Sequence, residues 1–152
     1  GLQGGASDIL DAVAGLKQVY FVLMEETVTG VGPEKLKHPD QQQFLAGLAD
    51  VAIEIYAAES AALRVAKLDG AGSAEAQEVR RDLARLVLER SAERVRAEAR
   101  TLLGELHPGE SGAKRLREVD DLLPPPSGLV APRARVAGWL VARGGLLPGE
   151  GV

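Results

Sequence analysis

Apolar residues along the chain return every three or four positions, the period of a helix lying against a core, and no stretch shows the period of two expected of a strand. Three long segments carry the pattern. In the first, Ile9, Val13, Leu16, Tyr20, Leu23, Met24 and Thr27 share one face. Ser7 is placed to cap its N-terminus, and Asp8 lies in the first turn where the helix dipole favours an acid. Gly30 supplies a stop, with Pro33 just beyond. Val19 and Val22 fall off the main face, so this helix is expected to be covered on two sides.

A polar stretch with His38, Pro39 and Asp40 leads to a second helix over 41–68. Phe44, Leu48, Val51, Ile55, Ala62 and Ala66 form its stripe, flanked by Leu45, Tyr56 and Leu63, and its many alanines let neighbouring backbones approach closely. Gly70 and Gly72 end it, and Ser73 caps a third helix that continues to Leu106. The face of that helix begins with Ala76, Val79, Leu83, Leu86 and Val87. Beyond Ser91 it passes to Val95, Ala99, Leu102 and Leu106, a rotation of roughly 100° on ideal geometry. Either the helix kinks near Ser91 or its halves meet different neighbours.

After a turn at 107–112, Leu116, Val119, Leu122 and Leu123 predict a short fourth helix, terminated by the prolines at 124–126. Pro132 suits the first turn of a last helix with Val136, Trp139 and Leu140, stopped by Gly144 and Gly145. The fold class is therefore all-α: an antiparallel bundle of three long helices plus two shorter C-terminal ones. Leu16, Tyr20, Leu48, Ile55, Leu83 and Val87 are expected to be buried together. Residues 1–6 read as a linker or remnant and 7–152 as one helical domain, a fragment of a longer protein because the chain starts without Met.

Composition changes this picture little. At 152 residues, 45% hydrophobic and 26% charged, the chain is long and apolar enough for a core. With only 3% aromatics, that core must be built from aliphatic side chains. A net charge of −4 argues against a nucleic-acid partner, since phosphate binding needs a basic surface. There is no cysteine, which removes disulfides, thiolate catalysis and zinc–sulfur sites and is compatible with the cytoplasm. No apolar run reaches the ~20 residues that span a bilayer, and no signal peptide is visible.

Candidate chemistry is thin. His38 and His107 each sit in a polar turn beside a proline and read as solvated loop residues, with no metal constellation. Gly70-Ala71-Gly72 joins two helices, whereas phosphate loops follow a strand. The third helix mixes arginines with acids, and Arg85–Glu89 and Arg94–Glu98 have the spacing of intrahelical ion pairs on a solvated face. Glu59 breaks the pattern by falling within the apolar arc of Leu48, Ile55 and Leu63. It needs a structural partner in the bundle or a contact to a partner domain. Val19, Val22, Val95 and Leu102, which lie off the faces assigned to the core, form the candidate domain or subunit interface together with Glu59, the charge that a partner domain would contact. Left exposed, they favour self-association as a dimer, unless loops and the tail from Leu146 cover them.

The run Gln43-Phe44-Leu45 with Leu48-Ala49-Asp50-Val51-Ala52-Ile53-Glu54-Ile55-Tyr56, and a terminal Ala142-Arg143-Gly144-Gly145 before two aliphatics, carry a resemblance. The chain resembles the extra C-terminal helical domain of long- and very-long-chain acyl-CoA dehydrogenases, including bacterial ones. That resemblance implies FAD in the parent protein but none in this chain, since the glutamate base and the flavin site belong to a preceding catalytic region. No catalytic, cofactor or metal residue carries over to any position here. It also implies packing against the parent's own catalytic domains and a second subunit in a homodimer. Attachment to a membrane surface, peripheral to its cytoplasmic side, is a weaker implication. A free-standing adaptor bundle and a peripheral membrane-binding bundle are the readings from other classes.

Overall fold

The computed structural model describes residues 6–123 and 128–144. Among them lie five α-helices and no strand: α1 (Ala6–Val31), α2 (Gln42–Lys67), α3 (Ala74–Leu106), α4 (Glu110–Leu122) and α5 (Val130–Ala142). Short 3-10 turns at Lys35–Lys37 and Pro39–Gln41 join α1 to α2. The prolines at 124–126, Gly145, the tail from Leu146 and residues 1–5 of the expected linker lie outside the described residues.

Local signals set most of the boundaries. Ser73 Oγ accepts the Ala76 amide at 3.2 Å, the expected cap of α3. At the α2–α3 turn Gly70 and Gly72 take φ of 76° and 80°, where a β-carbon would be strained. Two expectations shift at α1. The helix already includes Ala6, so Ser7 is inside it, and it passes through Gly30 to stop before Gly32. Gly30 serves closeness instead: a β-carbon there would stand 3.0 Å from Leu106 Cδ2 on α3.

The three long helices alternate in direction. Lys17 of α1 reaches Glu59 of α2, Glu54 of α2 reaches Arg94 of α3, and Arg80 near the start of α3 donates to the Leu68 carbonyl past the end of α2. One core fills the space between them. α1 contributes Ile9, Val13, Leu16, Val19 and Leu23; α2 contributes Phe44, Leu48, Val51, Ile55, Ala58, Ala62 and Val65. The α3 stripe is Ala84, Leu88, Ala92, Val95, Ala99, Leu102 and Leu103, with Val119 and Leu123 closing from α4. α4 packs on α1 and α3, where Gly15 is essential to the fit: a β-carbon there would fall 2.3 Å from the Leu122 carbonyl oxygen. α5 packs on α3.

The expected rotation of the α3 face does not occur. Its core stripe advances by three or four residues from Ala84 to Leu102 and stays on one side of the helix. Leu83, expected in the core, is exposed, and Leu86 and Val87 are only half-buried. Small residues govern this choice. Ala84 and Ala92 on α3 are buried in the same core as Ala58 and Ala62 of α2, which lets the backbones approach and turns the bulkier Leu83 outward. Val79 is buried apart from the main core, as is Val136 on the α5 helix that packs on α3. The first half of α3 thus meets the main core on one side and α5 on the other, rather than successive halves meeting different neighbours. On α1, Met24 and Tyr20 are less buried than expected, and Val19 takes a core place.

Core and surface readings separate by stability. Leu48→Ala and Ile55→Ala should each cost about 2–5 kcal/mol, whereas Leu83→Ala should cost less than about 1 kcal/mol. Urea unfolding followed by circular dichroism checks this; equal losses at Leu83 and Leu48 would contradict the assigned face.

Candidate functional site

The charged side chains that the core tolerates act as ties between helices far apart in sequence. Asp82, with a side chain 1% exposed, receives two hydrogen bonds from Arg135 of α5, Nε at 2.7 Å and Nη2 at 3.0 Å. Such a fork-to-carboxylate pair is geometrically selective and strong for its kind. The hydrogen bond to Asp82 is the main reason that the Arg135 guanidinium is held above its ordinary value. At the C-terminal end of α5, the Arg143 guanidinium lies 4.2 Å from the centroid of the Trp139 ring, one turn earlier on the same helix.

A second cluster gathers where α1, α3 and α4 meet. Glu26 of α1 binds His107 Nε2 at 2.6 Å and Arg115 Nε at 3.0 Å, and Arg115 reaches Glu118 at 2.8 Å. Its hydrogen bond to Arg115 holds the Glu118 carboxyl below its ordinary value, and the same bond raises the Arg115 guanidinium. His107 is therefore a half-buried partner of a carboxylate, not the solvated loop residue expected, whereas His38 is exposed. Glu54 of α2 similarly collects Ser91 Oγ at 2.9 Å and Arg94 of α3, so Arg94 pairs across helices and not with Glu98. Asp82 and Glu89, read from the sequence as part of a solvated face, are buried. Among the described residues, no three His, Cys, Asp or Glu side chains gather as a metal site would require. No described helix is long and apolar enough to cross a membrane.

The residues expected at an interface are not brought together at one. Val19, Val95 and Leu102 belong to the chain's own core and are closed to a partner. Val22 is half-buried and packs against that core. Of the five, only Glu59 remains within reach of a partner: it binds Lys17 of α1 at 2.5 Å, with side chains 44% and 35% exposed for Lys17 and Glu59. The notion that Val19 and Val95 are surplus fails because α1 packs on α2, α3 and α4, and α3 on all four of the other helices, so that more than one face of each is interior.

Uncovered apolar surface does exist, on other residues. On α1, Leu10, Ala14, Lys17, Phe21, Met24 and Val28 recur in steps of four and three, and on α2 so do Leu45, Ala49, Ala52, Tyr56, Glu59 and Leu63. This 3.5-residue spacing keeps a straight stripe toward a neighbouring helix. Apart from half-buried Leu10, Lys17 and Glu59, every member is exposed. Phe21 is 60% and Tyr56 74% exposed, and Ile53 beside the stripe is 63% exposed. Tyr56 also borders a groove of about 500 Å³ between α2 and α3, lined by Ala61, Val65, Leu83 and Val87 with Arg64 and Arg80 at its edge. The α2 half of this surface was visible in the sequence as the flanking residues Leu45, Tyr56 and Leu63.

With the fold in place, comparison with protein families identifies one class. Residues 16–119 match the family model described as acyl-CoA dehydrogenase, C-terminal domain. The chain belongs to this family. The matched span runs from the middle of α1 to α4 and leaves out α5 and the terminal Ala142-Arg143-Gly144-Gly145, so the family assignment rests on the first four helices. No curated protein and no solved structure matched the chain.

The Asp82–Arg135 tie generates a measurable expectation. Arg135→Leu leaves a buried carboxylate with a weaker partner, Arg85 at 3.7 Å, and should lower the unfolding midpoint. Trp139 is the chain's one tryptophan, so undocking of α5 should red-shift its fluorescence before helicity is lost. Coincident fluorescence and circular dichroism transitions with unchanged midpoint would contradict the tie.

Proposed function

We propose that this chain is the non-catalytic C-terminal helical domain of an FAD-dependent acyl-CoA dehydrogenase of the long- or very-long-chain type, acting in cytoplasmic fatty-acid β-oxidation. Its role is to pack against the catalytic region of its parent and to support homodimer assembly. The family match over 16–119 carries this reading. The paired apolar stripes on α1 and α2 support it, since contiguous exposed patches of this kind on soluble domains mark interaction sites.

The chemistry fits a role in assembly. Arg135, Arg94, Lys17, Arg115 and His107 are each tied to a carboxylate on another helix. In the parent, flavin and substrate are held by the preceding region, and this domain contributes rigidity and contact area. The α2–α3 groove, with apolar walls, suits a bulky side chain of an adjoining domain.

Two experiments test the reading. The purified chain mixed with FAD should stay colourless after gel filtration; flavin absorbance near one per chain would overturn it. Deleting the domain from the parent should leave a flavoprotein whose dimer dissociates on dilution, and a dimer as tight as the intact parent's would contradict the assembly role.

A further inference from the structure

Lys17, third of the six residues on the α1 stripe, and Glu59, fifth of the six on the α2 stripe, bind one another across the α1–α2 seam. Everything else on those stripes is apolar. A lone ion pair inside an apolar seam adds little to stability where it is partly solvated, but it fixes the register of whatever docks there. The seam is thus a surface with a polarity of its own: cation on α1, anion on α2, at the same height.

We infer that the outer face of α1 and α2 docks a second copy of this chain, about a two-fold axis running parallel to the helices. Rotation about that axis lays α1 of each copy over α2 of the other, so that Lys17 of one copy faces Glu59 of its partner and the reverse. Four charges then alternate in sign around a square. The other two-fold, across the helices, places Lys17 on Lys17 and Glu59 on Glu59, and like charges brought together at an interface are costly. The same register sets Phe21 near the level of Tyr56 on the facing helix, because each lies one short step from the ion pair in antiparallel helices.

The area available is sufficient. With aromatic side chains presenting about 150–250 Å² and aliphatic ones somewhat less, these fractional exposures leave on the order of 600 Å² of uncovered apolar surface on the two stripes. The largest apolar patch on a monomer is about 300–600 Å², so this face stands at the top of that range, and a standard interface takes about 800 Å² per partner with its polar rim included. An isologous contact needs only one such face, since it covers itself. This assignment rests on the assembly role proposed above and narrows it to one face and one arrangement.

Sedimentation velocity on the whole chain and two charge reversals tests it. The unaltered chain should dimerise, and Lys17→Glu and Glu59→Lys should each weaken the dimer about tenfold or more. An equimolar mixture of the two variants should recover the dimer, because every cation then again faces an anion across the interface although neither chain has its internal pair. That recovery cannot come from repair of a misfolded chain, and circular dichroism on each variant confirms its helicity. An unaltered chain monomeric up to millimolar concentration, or a mixture as dissociated as its components, would overturn the arrangement. Domain deletion in the parent is read separately: loss of the parent dimer alongside a monomeric chain would sink this inference and leave the assembly role standing.

Discussion

Close approach of α2 and α3 along a line of small residues governs this molecule. Gly47, Ala58 and Ala62 on α2, with Ala84, Ala92 and Ala99 on α3, are all buried. A β-carbon on Gly47 would press to 3.1 Å from Leu102 Cδ2. With so few aromatics to fill space, the helices gain dispersion energy by coming near one another, which only short side chains permit. That constraint fixes which azimuth of each helix is interior and therefore which large side chains must look elsewhere. Leu83, Tyr56 and Leu63 are exposed because alanines hold the inner positions.

The polar ties follow from the same packing. Helices that touch along a small-residue seam leave long charged side chains at the margins, where they reach across to the next element. Glu54 with Arg94, Lys17 with Glu59, and Arg96 with Asp120 at 2.8 Å all join one helix to another. Asp82 is the exception in depth, since it lies inside the α3–α5 contact and depends on Arg135. A carboxylate so buried stabilises little by itself but makes any other seating of α5 costly. The chain uses its charges to select one arrangement of helices more than to add stability.

Much of this was legible in the sequence. The cap at Ser73, the α2 stripe through Phe44, Leu48, Val51 and Ile55, and the turn glycines 70 and 72 are local signals, and local signals survive folding. The α3 face was not legible, because periodicity weights large apolar residues and the interior positions there are mainly alanines. The pairings of Asp82 with Arg135 and Glu26 with His107 span 53 and 81 residues, and no spacing rule reaches across such intervals. For the interface, the sequence led toward Val19, Val95 and Leu102 on the premise of one interior face per helix. In a bundle where α1 and α3 each have several neighbours, that premise fails, and the surplus surface is found on Phe21, Val28, Leu45 and Tyr56.

The central claim is that the chain completes a core of its own and keeps the outer face of α1 and α2 for assembly. Hydroxyl-radical footprinting of the parent protein reads this directly at side chains. Phe21, Met24 and Tyr56, exposed in a single copy of the chain, should be protected from oxidation in the assembled parent. Val130 and Val141 on the outer side of α5, at 83% and 81% exposure, serve as unprotected references. Equal reactivity of Phe21, Met24 and Tyr56 in the chain diluted to its monomer and in the assembled parent would contradict the account.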